Sequence, residues 1–298
     1  MSRKFLKQAE YSVHKLLENA TDISIKTKAD YKKNLKQMVS QLHNIGVQIS
    51  HIKHFKANHV GKLINQWQKD SVSVATMKNR LSMIRYISKK INKTNFIPVS
   101  NKMLGIENRS YKPTHNKAIE SLNIDSINDI NIQFSVRLQQ LFGLRREESI
   151  KFIPSVADKG TYIALKSTWT KGGVARLVPI TTQEQRDFLD ALKKQVKRGC
   201  SLIPSDKNYR EQENTYVSQT RVAGFTNLHG LRHAYAQRRY RVLVNELSSG
   251  RGWECPINGG PSRQDLKAWQ KSIDEDARLI ISNELGHSRI NITLNYLG

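Results

Sequence analysis

Two cysteines in 298 residues, Cys200 and Cys255, far apart and outside any CxxC, argue against a disulfide framework and against a cysteine-rich zinc site. Long apolar runs are missing too, since no stretch approaches the roughly 18 residues a membrane span needs. The first fifteen residues, MSRKFLKQAEYSVHK, have basic side chains but no apolar stretch and no cleavage site, so they do not read as a secretory signal. These absences favour a reducing cytoplasm. Acidic residues are the third shortage: 25 Asp and Glu stand against 49 Lys and Arg, leaving a net charge of +24.

What is present fits a folded protein. Hydrophobic residues make up 38%, with four Trp, ten Tyr and eight Phe, and the length allows two modest domains with separate cores. The charge is uneven. Residues 1–113 hold 22 basic and 6 acidic residues, and residues 114–298 hold 27 and 19. The bland reading is a well-solvated surface. An excess this lopsided reads better as a footprint for polyphosphate, because each Lys or Arg that neutralises a phosphate releases a counterion. A membrane surface fits less well, since no segment joins a basic face to a broad Trp/Phe/Leu face.

The first third reads as four helices: KFLKQAEYSVHKLLEN, KADYKKNLKQMVSQLHNIG, ANHVGKLINQWQKD and SVATMKNRLSMIRYISKKIN. In the fourth, Val74, Met77, Leu81, Ile84 and Ile87 or Tyr86 share an apolar face. Gly46 is a plausible stop for the second helix and Ser73 an N-cap for the fourth. Lys78, Arg80, Arg85, Lys89 and Lys90 lie on or beside the polar side of the fourth helix and are candidates for contacts to a DNA backbone. Residues 95–116 lose the periodicity and collect Pro, Gly, Asn and Ser, as a linker does. The expected division is therefore a helical domain over 1–94, a linker over 95–116 and a second domain over 117–298.

The second domain mixes patterns. FSVRLQQLFGLRREESIKF, EQRDFLDALKKQVKR and HGLRHAYAQRRYRVLVNEL are helical, whereas TYIALKSTWTKGGVARLVPI alternates like two strands around a Lys-Gly-Gly turn. The fold class expected is mainly α with a small antiparallel β-sheet.

Several short patterns carry polar chemistry, each with an ordinary alternative. Arg145 and Glu148 are three apart, so one helix face holds a guanidinium fork and a carboxylate; alone, this is a surface ion pair. His229 and Arg232 repeat the spacing, with Asn227 or Thr226 as a cap for their helix. His229 and His233 have the spacing of helical zinc ligands, but Gly230 replaces the glutamate of a metalloprotease and no third ligand is evident. Lys171 sits at the hairpin turn with Lys166 as a rival. Gly286 ends ARLIISNEL, Asn291 caps a last short helix, and His287 precedes Tyr296 by nine residues. Tyr296 by itself reads as a packing aromatic.

Together these elements resemble the tyrosine recombinases, the phage-integrase family. The matching residues, in the family's order, are Arg145/Glu148 in GLRREE, Lys171 in the hairpin, His229/Arg232 in HGLR, and His287/Tyr296 around LGHS. The resemblance is close over residues 134–298; the basic helices in front resemble the core-binding domain by layout. It implies an all-α core-binding domain joined to an α+β catalytic domain that cuts and rejoins DNA through a 3′-phosphotyrosyl intermediate.

In that scheme Arg145 and Arg232 clamp the phosphate, His229 and His287 add hydrogen bonds, and Tyr296 is the nucleophile. His229 is the candidate base, Lys171 the general acid, and Glu148 a buttress. No metal, ATP or other cofactor is expected. The implied partners are double-stranded DNA carrying a specific site, three further protomers in a tetramer on two sites, and an accessory DNA-bending protein, all in the cytoplasm at the nucleoid. Integration or excision of a mobile element is the leading role, ahead of chromosome-dimer resolution. A type IB topoisomerase or a DNA-binding protein without catalysis are the other readings.

Two departures stand out. His229 and His287 are separated by 57 residues, a surplus that points to an inserted loop at SSGRGWECPINGGPSRQDLKAW, within 248–275, expected to touch DNA or a neighbouring subunit. Only Leu297 and Gly298 follow Tyr296, so either the chain continues further or protomers associate through another surface. In the free protein, the tail carrying Tyr296 is expected to be held away from the other five residues.

Overall fold

A computed structural model describes residues 3–93, 96–108 and 110–298; Met1, Ser2 and Thr94 of the expected first domain, and Asn95 and Arg109 of the expected linker, lie outside it. The chain divides into two units, residues 1–110 and 111–298.

Among the described residues the first unit holds four α-helices: α1 (Arg3–Glu18), α2 (Ile25–Asn44), α3 (Ala57–Lys69) and α4 (Val74–Lys90). Serine hydroxyls begin two of them. Ser24 and Ser73 accept from the backbone N–H of Thr27 and Thr76, satisfying donors that the first turn leaves free. After α2, Gly46 adopts φ +82° and Val47 N–H donates back to the Leu42 carbonyl, the left-handed stop that glycine makes cheaply. Leu35, Met38, Leu42, Leu63, Trp67, Leu81 and Ile84 form the core. Of the apolar face expected on α4, Met77, Leu81, Ile84 and Ile87 are buried; Tyr86 is half-buried and bonds Asp22.

The segment expected as a linker is partly tied down. Ile97 and Ile106 join the first unit's core, and Arg85 donates to the Pro98 carbonyl and to Asn101 Oδ1. Arg85 is thus spent on holding this segment. Arg80 departs further from expectation: it is only 8% exposed and stacks on Trp67 at 5.1 Å, since its place in the turn faces the core. Lys78 is half-buried, Lys89 is exposed, and Lys90 pairs with Asp22.

The second unit holds α5 (Ile130–Phe142), α6 (Arg146–Ile150), α7 (Pro154–Ala157), α8 (Gln183–Gln195), α9 (Tyr209–Val222), α10 (Gly230–Leu247), α11 (Ala268–Glu284) and α12 (Leu294–Leu297), with strands β1 (Tyr162–Leu165) and β2 (Arg176–Pro179). Helix α10 is the spine. Its Leu231, Ala234, Tyr235, Ala236 and Tyr240 are buried, and it packs against both α5 and α11. The strands pair antiparallel with Leu165 opposite Arg176. The ladder is shorter than expected. Instead of a tight Lys-Gly-Gly turn, the chain makes a 3-10 turn at Ser167–Trp169 and drops Trp169 into the core before reaching Gly172 and Gly173 at positive φ.

Helix α11 begins at Ala268, so the second part of the expected insertion is helix and the loop proper is 248–267. That loop packs on its own unit through buried Cys255 and Leu266. Neither Asn227 nor Thr226 caps α10 with its side chain, and Asn291 caps no helix: residues 290–293 form a 3-10 turn running into α12. Among the described residues no helix is long and apolar enough to cross a membrane.

Candidate active site

Three helix ends meet where α10 begins. Helix α5 stops at Gly143, which takes φ +60° as C-cap, and a Cβ there would lie 2.5 Å from the Tyr235 ring. Only glycine fits both demands. The turn leads into α6, where Arg145 is the N-cap and Glu148 the third residue. Glu148 Oε2 accepts from the Arg145 backbone N–H at 2.7 Å, and Oε1 accepts from Arg145 Nη1 at 2.8 Å. The i,i+3 pair expected from sequence is present as a helix-start clasp.

Glu148 is fully buried and has a second partner. Arg176 on β2 donates through Nη1 and Nη2 at 2.6 Å each, and its Nε donates to the Glu284 carbonyl at the end of α11. Burial works to raise the Glu148 pKa, but the Arg176 and Arg145 guanidiniums outweigh it and bring it down to about 2. Arg176 was not singled out from the sequence. Its signal was there: it sits two residues before buried Val178 on a strand, at a position that points inward.

Arg232, one turn into α10, is 1% exposed. Nη1 donates to the Gly143 carbonyl at 2.5 Å and Nη2 to the Leu285 carbonyl, so the cation is held by the C-terminal ends of α5 and α11. Burial still lowers its pKa to about 10. Nε faces the Tyr296 hydroxyl at 3.4 Å, and Nη2 lies 3.4 Å from His287 Nε2. His287 follows Gly286, whose φ of +65° closes α11, with His287 N–H bonded to the Ser282 carbonyl. His287 Nε2 is 3.2 Å from the Tyr296 hydroxyl. Tyr296 itself is 5% exposed, on α12.

The nucleophile candidate is therefore docked against Arg232 and His287, not held away from them as expected. His233, considered from sequence only as a zinc ligand, explains part of this: its ring packs at 4.7 Å from that of Tyr296, tilted by 50°. The His229 ring lies 5.4 Å from that of His233 and 6.1 Å from that of Tyr296, with no hydrogen bond to the tyrosine hydroxyl. Desolvation and the charges of Arg232 and Arg145 push both His229 and His287 down to about 4, leaving both neutral near pH 7. The hydrogen bond that a base would need thus falls to His287 rather than His229.

Lys171 is exposed in the β1–β2 connection and bonds none of these residues. Its rival Lys166 lies over the Trp169 ring at 5.7 Å. Among the described residues no group of three or more His, Cys, Asp or Glu could hold a metal ion.

Two family models match the chain: phage integrase, N-terminal, over residues 7–97, and integrase over residues 108–238. The chain belongs to the phage-integrase family of tyrosine recombinases. His287 and Tyr296 lie beyond the second match, so their assignment rests on the geometry above. The fold is shared with solved structures. The XerH recombinase bound to palindromic difH substrate is 16% identical, with 97% of this chain and 81% of that chain covered at a TM-score of 0.55. A lambda integrase tetramer bound to a Holliday junction is 13% identical over 83% and 75%, at 0.51. The Tn1549 transposon integrase with a circular intermediate DNA is 13% identical over 96% and 95%, at 0.50. No individually curated protein matches the sequence. Family membership makes the chain a site-specific DNA recombinase.

Proposed function

We propose that the chain cuts DNA by attack of Tyr296 on a phosphodiester, forming a 3′-phosphotyrosyl bond and releasing a 5′-hydroxyl, and that a second 5′-hydroxyl reverses the step to join new partners. The observation that carries this reading is the Tyr296 hydroxyl held between Arg232 Nε and His287 Nε2 at 3.4 and 3.2 Å.

A phosphodiester gathers negative charge in its transition state, and fixed cations stabilise it most where water is excluded. Arg232 is such a cation, immobilised on two carbonyls. Arg145 is the other, steered by Glu148 with one edge open, its side chain 22% exposed. A neutral His287 accepts the phenol proton as the bond to phosphorus forms, and His229 donates to a phosphate oxygen. The departing oxygen needs a proton, and Lys171 supplies it once its connection closes on DNA, which its exposed, glycine-flanked position allows. The bond energy is stored in the phosphotyrosine, so joining needs no external energy source.

By analogy with the DNA-bound neighbours, the working state is a tetramer on two duplex sites, with Lys78, Lys89 and Lys90 on phosphates and an accessory protein bending the DNA. Integration or excision of a mobile element, in the cytoplasm at the nucleoid, is the role that fits. The test uses junction DNA from either side of the protein's own gene, made as nicked suicide duplexes. Wild type is expected to give a denaturation-resistant adduct at a 3′-phosphate, and Tyr296→Phe to bind the same DNA without one. An adduct surviving in Tyr296→Phe would overturn the assignment.

A further inference from the structure

Two polar chains run from the 248–267 loop to the helix that carries Tyr296, and neither is used by the chemistry above. The first passes along α10. Asn116 Nδ2 donates to Asn258 Oδ1 in the loop at 2.7 Å, Gln237 Nε2 donates to Asn116 Oδ1 at 2.9 Å, and the same amide donates to the Tyr296 carbonyl at 3.0 Å. Gln237 is 3% exposed, and both its donors are committed. The second passes through α11. Trp253 Nε1 in the loop donates to the Tyr240 hydroxyl at 3.0 Å, and that hydroxyl donates to Asp274 at 2.6 Å. Arg278 donates to Asp274 at 2.8 Å and to the Gly298 carbonyl at 3.2 Å. The loop also closes sterically on this helix: a Cβ on Gly298 would lie 3.0 Å from the Ile257 nitrogen.

We infer that the 248–267 loop is a latch that holds the tyrosine helix in its own protomer's site, with Gln237 as the positioning residue that grips the Tyr296 backbone. A four-residue helix cannot hold itself in place; it is too short to be stable alone. Its orientation comes from what grips its carbonyls. Gln237 fixes the tyrosine's own carbonyl five residues along α10 from Arg232, so nucleophile and clamp share one rigid element. The loop then anchors on the core through buried Cys255 and Leu266. On this account the surplus between His229 and His287 serves the protomer itself, not a neighbour.

The inference rests on the proposed chemistry, and the test separates the two. On the same suicide duplexes, Gln237→Met and Asn258→Ala are expected to slow adduct formation by about ten- to a hundredfold, the scale on which misplacement of a reacting group acts, with unchanged DNA affinity. Arg145→Ala, which keeps Tyr296, and Tyr296→Phe, which keeps the clamp, are expected to form no adduct when mixed, because neither lends its part to the other. Adding Gln237→Met to both proteins should free the tyrosine of one and vacate the site of the other, and so produce an adduct in the mixture. Such a gain cannot come from mere loss of structure. The latch is overturned by an unmodified mixture that already cleaves, by single variants that cleave at the wild-type rate, or by a fall in rate without the gain in the mixture. Absence of a wild-type adduct on every junction removes the proposed chemistry instead.

Discussion

The first unit carries more of the positive charge, yet the second is where charge is buried. In the helical unit the core is apolar and, among the described residues, the cations are mostly spread over the surface; an exception is Arg80, whose Nε and Nη1 are buried with no hydrogen-bond partner. In the catalytic unit Arg176, Arg232, Arg278, Glu148, Asp274 and Glu284 are all below 9% exposure; hydrogen bonds join the first five to one another or to helix-end carbonyls, and the Glu284 carboxylate accepts from Tyr235 and Arg239. Removing ions from water costs several kcal/mol apiece, and only close, well-directed partners offset that. Net charge therefore describes what a surface attracts, while placement of charge describes what a site does. The two properties sit in different parts of this chain.

The sharpest way to break that contrast is to remove a partner from the catalytic network. Arg176→Met leaves Glu148 buried with Arg145 alone, and stability is expected to fall by about 3–5 kcal/mol. A denaturant melt of the purified variant checks this. A loss under 1 kcal/mol would mean that the network contributes no more than a surface pair. Gly143→Ala comes next. It forces φ +60° on a residue with a Cβ and drives that Cβ into Tyr235, for an expected loss of about 2–4 kcal/mol in the same melt.

A smaller effect should appear with pH. His229, His233 and His287 are each lowered from 6.5 to about 4, by desolvation first and nearby charges second. Between those values the unfolded chain binds more protons than the folded one, so stability rises with pH across this window and is lost as pH falls from about 6.5 to 4. Glu148 acts lower still: its contribution is complete above 4.5 and disappears only as pH drops towards 2. Melting temperatures between pH 7 and 4.5 should therefore decline, and His233→Gln should decline less steeply than wild type. Parallel curves would show that His233 titrates normally.

Much of this was legible in the residues, for physical reasons that differ by element. Helices α1 to α4 announced themselves by apolar spacing, and Ser73 and Gly46 by the backbone groups they satisfy. Helix α9 did not. Its buried stripe is Gln212, Tyr216 and Thr220, polar or amphipathic side chains paired inside the protein, which hydropathy cannot register. The tyrosine site was legible as a set of spaced motifs, but the partners of those motifs were not. Arg176 and Gln237 act through contacts 28 and 59 residues distant in sequence, fixed by the way β2 and α10 pack. The docked state of Tyr296 was missed for the same reason, because the loop that secures it reads as Gly- and Pro-rich coil until its buried anchors are seen.

The smallest effect bears on the first unit. Arg80 lies on Trp67 with two guanidinium nitrogens unbonded, so Arg80→Met exchanges an uncompensated cation for an apolar chain of similar length. Loss of the stacking contact and relief of desolvation oppose each other, and the net change in stability is expected to be below about 1 kcal/mol. DNA affinity supplies the second reading. Lys89→Ala, at an exposed position on the same helix, should weaken binding and reduce the slope of log affinity against log salt by about 0.9 for one lost phosphate contact. Arg80→Met should leave that slope as it is, because a guanidinium turned into the core releases no counterion from DNA. If instead Arg80→Met lowers the slope as Lys89→Ala does, the arginine swings out to a phosphate when DNA binds. The first unit would then hold a buried charge in waiting, and the division between a unit that attracts and a unit that acts would no longer stand.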